Sequence, residues 1–226
     1  MSISITILII IITGIISAIA FNNNEVMNKL IFYPPAISER KEWWRFFTCG
    51  FIHKDVPHLL FNMYALYLFG QGQHKDGVEF LLEDVFGANA KLMYLLMYLL
   101  ALGACLIPTY NKNKHNYNYL SLGASGAVSA VVFAYIILDP LRGVGLIFIP
   151  VYVYGFIFGI LYLFISYLLS KSSRGGNVNH SAHIWGALFG IAFLLLTSKL
   201  FSTTPVLEDF IHAVRNIDPN KIFSTY

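Results

Sequence analysis

Residues 122–134 read LGASGAVSAVVFA, a run of small and branched apolar side chains broken only by Ser125 and Ser129. Ser125 sits between Gly123 and Gly126, which leave its hydroxyl almost unshielded at the mouth of the run. An apolar stretch without alternation of period two reads as a helix when its surroundings are lipid, because lipid offers the backbone no hydrogen-bond partner. A serine hydroxyl is a weak nucleophile until a neighbouring base takes its proton. That base must come from elsewhere in the chain.

Composition says that the surroundings are lipid. Of 226 residues, 57% are hydrophobic and only 12% are charged, and the mean hydropathy is +0.63. A soluble domain carries about 25% charged residues, so this chain lacks the polar surface to face water and reads as an all-α membrane protein. The net charge of +3 comes from scattered Lys and Arg, which suggests no nucleic-acid partner. Cys49 and Cys105 form neither a CxxC pair nor a disulfide framework and are expected as packing residues. Met1–Ala20 has no Lys or Arg ahead of it and matches the ~20 residues of a bilayer crossing, so a retained span is expected rather than a cleaved signal.

Apolar runs near 2–21, 57–71, 91–108, 123–138, 145–169 and 181–201 make six expected spans. They define a six-helix membrane domain over residues 1–204, with 205–226 as a short polar tail. The segment Asn22–Asp55 mixes Trp43, Trp44, Phe46, Phe47 and Phe51 with Arg40, Lys41 and Arg45, a composition suited to the headgroup level. Read by the positive-inside rule alone, its cations place this first loop in the cytoplasm. Span parity carries more information. Spans two, four and six run parallel, so their starts share one side, and those starts carry His58 with Asn62, Ser125, and His183.

His183, in NHSAHIWGALFG, is the expected base, since neutral imidazole accepts a proton near physiological pH. Gly186 and Gly190 have the spacing that lets one helix backbone approach another, and Gly126, Ala127 and Ala130 offer small side chains opposite. Close approach of spans four and six would bring Ser125 to His183. His58 and Asn62, four apart, share a helix face and can supply oxyanion donors beside the Ser125 backbone N–H. No Asp or Glu accompanies either histidine at that depth, so the expected device is a Ser-His dyad without a carboxylate. His180 and His183 as metal ligands, or His58 and His183 as haem ligands, are weaker readings, because HExxH and an acidic third ligand are missing. No metal and no cofactor is expected. Ser129 is read as packing or bonding back to its own helix, and His74 and His115 as solvated loop residues.

These motifs resemble the rhomboid family of intramembrane serine proteases, over roughly Glu25 to Leu200. WWRFFTCGFIHKDVPHLLFNMYALYLFG resembles the family's Trp-Arg loop running into an HxxxN helix, LGASGAVSA its GxSG nucleophile motif, and NHSAHIWGALFG its AHxxGxxxG base motif. The resemblance implies a six-helix rhomboid-like bundle with a long interfacial first loop. It makes Ser125 the nucleophile, His183 the general base, His58 and Asn62 the oxyanion stabilisers and Gly123 the shaper of the nucleophile turn. Trp44 and Arg45 would anchor the loop. The implied substrates are transmembrane proteins within the lipid bilayer, and the implied location is a multi-pass position in the plasma membrane with the site near the extracytoplasmic face, against the naive charge count. Gln71–Asp84 is longer and more polar than the family's connection there. Lys171–Asn179, with Gly175 and Gly176, is expected to cap the site. Two alternatives remain at this point: a catalytically inactive rhomboid-like protein that binds transmembrane clients, and a small transporter or channel.

Overall fold

The first helix, α1 (Ile5–Asn22), shows which solvent the fold is built for. It buries Thr6, Ile9, Thr13, Ser17 and Ala20, three or four apart and therefore on one face, while Leu8, Ile11, Ile15 and Ile19 are exposed. Small and polar inward, branched aliphatic outward, is the reverse of a soluble helix and the arrangement lipid favours. The structure is a computed structural model that describes residues 3–146, 149–171 and 178–217.

After α1 the chain makes three short helices, α2 (Asn24–Leu30), α3 (Pro34–Arg40) and α4 (Arg45–Thr48), and a 3-10 turn over Cys49–Phe51. Asn23 caps α2 by accepting the Glu25 and Val26 N–H groups, and Pro34 and Pro35 open α3 where no N–H is needed. The buried Arg45 ties them together. Its Nη1 donates to the carbonyls of Asn28 (2.8 Å) and Ile31 (2.7 Å), and its Nε pairs with Glu42 at 2.5 Å. Trp43, Trp44 and Phe47 stay about half-exposed on the outside, so Arg45 holds the loop from within while Trp44 stands on its outer face.

Helix α5 (Val56–Leu66), capped by Asp55, runs into a π-helical turn over Tyr67–Gln71. Then come α6 (Val78–Phe86), α7 (Ala90–Ala104) and α8 (Ile107–Asn113). The following helix, α9 (Ser125–Leu138), is buried over Gly126–Ile137 and packs against α5, α7 and neighbouring elements on all sides. An antiparallel pair, β1 (Gly143–Leu146) and β2 (Ile149–Tyr154), leads into α10 (Gly155–Lys171), α11 (His180–Phe201) and the amphipathic α12 (Val206–Arg215).

The expected spans differ in length. Among the described residues, three helical stretches are long and apolar enough to cross a membrane: Ile5–Asn22, Val78–Asn113 and His180–Phe201. Ser125–Leu138 and Gly155–Lys171 are apolar but shorter, and α5 adds only 11 residues before its π turn. The run at 145–169 is not one helix, because Gly143, Gly145 and the β-branched and aromatic IPVYVY form the hairpin first. Within the expected tail, α12 folds back on α9 with Val206 buried, and just ahead of it Thr204 Oγ1 donates to the Asp84 carbonyl at 3.2 Å. Most of the expected cap, residues 172–177, lies outside the described residues.

The polar segment after α5 acquires a role. Asp76 accepts the His74 N–H and pairs with Arg142, closing the turn that starts α6. One turn later the fully buried Glu79 receives Ser4 Oγ (2.6 Å), Ile5 N–H (2.8 Å) and Thr6 N–H (2.9 Å). A carboxylate from α6 thus satisfies the open N–H groups of α1, which lipid could not. In Glu79→Gln an amide N–H must face one of these donors. Loss of charge-assisted bonds should cost about 1.5–3 kcal/mol, read as a lower denaturation midpoint in detergent micelles.

Candidate active site

The site begins at a turn that glycine alone can make. Gly123 has φ +108°, and a Cβ there would lie 2.7 Å from His58 Cε1. The Gly123 N–H donates to Cys49 O at 2.9 Å, and Ser121 pairs with Phe32 through two backbone bonds of 3.0 and 3.1 Å. The first loop therefore holds the approach to α9 by main-chain bonds, and Ser125 emerges as the first residue of that helix.

Helix α11 meets α9 backbone to backbone. A Cβ on Gly186 would lie 2.0 Å from Gly126 O, and one on Gly190 would lie 2.3 Å from Ala130 O. Cys105 also packs on Gly126, where a Cβ would lie 2.4 Å from its Sγ. Cys49 and Cys105 are both buried and unpaired, within one apolar cluster with Phe32, Phe46 and Ala182. With the helices this close, His183 Nε2 stands 2.8 Å from Ser125 Oγ. That distance is a hydrogen bond in reach of proton transfer.

The remaining expected residues gather at the same end. His58, half-buried on α5, lies against Gly123. Asn62 is buried one turn further on, where its Nδ2 donates one hydrogen to the His58 carbonyl at 2.9 Å. The starts of α5, α9 and α11 thus converge. Ser129 Oγ donates to the Ser125 carbonyl at 2.8 Å, the back-bond expected of it. A cavity of about 340 Å³, lined by Tyr64, Gln73, His74, Asp76, Tyr135 and Arg142 among others, lies at the far ends of α5 and α9, and no dyad residue lines it.

Sequence reasoning missed His53, whose only signal was a second histidine five residues before His58. It is fully buried. Ser17 Oγ donates its one hydrogen to Phe51 O at 3.0 Å, so the 3.0 Å contact with His53 Nδ1 must be donated by the ring. Nε2 is then the acceptor for the Ala124 N–H at 3.4 Å. The neutral ring links α1 to the residue before the nucleophile. Burial, reinforced by His58, pushes its pKa from the ordinary 6.5 down to about 4, with Asp55 pulling weakly upward.

A model of the Rhomboid domain matches residues 40–200, which contain Ser125, His183, His58, Asn62, Gly123 and His53. The chain belongs to the rhomboid family. It is similar to Rhomboid-like protein 15 of Arabidopsis thaliana, with 27% identity over 216 residues, covering 86% of this chain and 49% of that protein. The chain therefore spans about half the length of this relative. As a rhomboid with apolar crossing helices it is an integral membrane protein of intramembrane function.

Two outcomes follow from this geometry. Gly186→Ala puts a methyl against a backbone carbonyl that cannot rotate away, so the helices must part. It should cost about 1–3 kcal/mol and slow labelling of Ser125 by a fluorophosphonate. The unfolded chain protonates His53 below pH 6.5 and the folded chain only below about 4. Unfolded protein holds more protons in that window, so stability falls as pH drops through it. Melting temperatures measured from pH 7 to 4 should fall less steeply in His53→Gln than in the unaltered protein.

Proposed function

We propose that the protein is an intramembrane serine endopeptidase that hydrolyses peptide bonds in or near the transmembrane helices of membrane-protein substrates. The 2.8 Å contact between His183 Nε2 and Ser125 Oγ carries this reading. To accept the serine proton at Nε2, the resting imidazole keeps its own proton on Nδ1.

Ser125 Oγ attacks the scissile carbonyl carbon as His183 Nε2 takes its proton, and the carbonyl oxygen becomes an oxyanion. The Ser125 N–H, free as the first residue of α9, supports that charge together with the second Asn62 amide hydrogen and the His58 ring. The intermediate collapses when His183 returns the proton to the leaving nitrogen, which breaks the C–N bond and leaves an ester on Ser125. Water then gives a proton to His183 and attacks the ester. The resulting intermediate breaks its bond to Ser125 Oγ as His183 returns that proton to the oxygen, which frees the new carboxyl end and restores the serine.

In this reading α1, α5, the α6–α8 stretch, α9, α10 and α11 make six crossings of the plasma membrane, with the dyad toward the extracytoplasmic face. Support comes from the convergence of the α5, α9 and α11 starts at one end. Substrates are cut near the corresponding end of their own helices, after local unwinding that exposes the bond to water.

Ser125→Ala and His183→Ala should each reduce cleavage of a fluorescent transmembrane reporter by at least about 10³-fold while melting temperatures stay within a few degrees. A fluorophosphonate should label the unaltered protein at Ser125. Cleavage retained in Ser125→Ala would end the proposal. A protein that binds reporter helices yet neither labels nor cuts them would be the non-catalytic client binder instead.

A further inference from the structure

Tyr162 on α10 reaches both halves of the dyad, the base directly and the nucleophile through Ser129. Ser129 spends its single hydrogen on the Ser125 carbonyl at 2.8 Å. The 2.7 Å contact between Ser129 Oγ and Tyr162 OH is therefore donated by tyrosine. The result is a directed chain from the Tyr162 hydroxyl through Ser129 to the carbonyl of the nucleophile.

The Tyr162 ring also lies beside the base. Its centroid is 6.4 Å from that of His183 with the planes 26° apart, an offset stack within the range of favourable aromatic pairs. His180 meets the same imidazole edge-on at 5.7 Å. Phe133 (5.6 Å) and Phe158 (6.0 Å) hold the tyrosine ring in turn. Helix α10 is otherwise thinly seated. Its buried residues are Gly155, Gly159 and Ser166, a narrow stripe that includes the part-buried Tyr162, while Ile160, Leu161, Phe164, Ile165 and Leu168 are exposed.

We propose that Tyr162 is a positioning residue for the dyad. From α10 it keeps the His183 ring from swinging away from Ser125 and, through Ser129, pins the first turn of α9. Catalytic geometry then depends on where α10 stands. The proposal rests on the protease reading, and its test separates the two.

Cleavage of a transmembrane reporter is measured for Tyr162→Phe, Tyr162→Leu, Ser129→Ala and the Phe/Ala double variant, beside melting temperatures. Tyr162→Phe keeps the stack and loses the hydrogen bond, and should lower kcat by about 3-fold. Tyr162→Leu loses both and should lower it by about 10- to 30-fold with KM unchanged. The double variant should match either single one, because both cut the same chain. In a Ser125→Ala background, the His183 ring protons, assigned by their loss in His183→Gln, should move downfield in Tyr162→Leu as ring shielding is lost. Unmoved His183 resonances, an additive double variant, or a loss that Phe does not rescue would overturn the proposal. If the unaltered protein neither cuts nor labels, the protease reading fails while the resonances still decide the role of Tyr162.

Discussion

The approach of α11 to α9 is the constraint on which the rest depends. Gly126 and Ala130 on one helix face Gly186 and Gly190 on the other, and any side chain at either α11 glycine would strike a carbonyl of α9. In lipid no hydrophobic force drives apolar helices together, because lipid tails are as apolar as leucine. Association rests on dispersion and polar contacts that operate only at short range. The pair of glycines makes that range available. The Ser125–His183 hydrogen bond is its chemical consequence, since the two side chains leave the same closely packed seam.

A close seam does not by itself aim a nucleophile. Aim comes from the first loop, whose carbonyls and histidine engage the residues just before Ser125. Cys49 O takes the Gly123 N–H, Phe32 bridges Ser121, and His53 takes the Ala124 N–H. The loop is itself fixed by Arg45, whose guanidinium spends its donors on carbonyls that would otherwise lie open near lipid. Arg45 therefore serves the architecture of the loop. Through Ser17 the same network reaches α1, and Glu79 fastens the other end of α1 to α6. The first helix is thus held at both ends by polar contacts.

The parts legible in sequence were those in which one residue type at one spacing has few uses. Gly186 and Gly190 announced the helix contact, and Ser125, His183, His58 and Asn62 fell at the starts of parallel apolar runs. The residues that escaped act through partners distant in the chain. Glu79 looks like one acid in a polar connection, and only the fold brings Ser4, Ile5 and Thr6 to it. His53 is one of two histidines in HKDVPH, and nothing local says which of them is buried between α1 and α9. Tyr162 is one aromatic among many on a helix with no strong face. Hydropathy also ran together the hairpin and α10, because IPVYVY is as apolar as the helix after it and differs only in its preference for extended backbone.

Depth follows from lengths. At about 1.5 Å per residue, the 14 residues of α9 make about 21 Å, short of the ~30 Å of hydrocarbon in a bilayer. A helix buried on every side can stop short in this way, because protein rather than lipid meets its ends. At the N-terminal end stands Ser125, and the first loop brings His53 and the main-chain groups of Phe32 and Cys49 against the residues just before it. The shortness of α9 and the length of the first loop are then two sides of one solution. The loop fills the space that the short helix leaves with groups that hold the hydroxyl's turn in place.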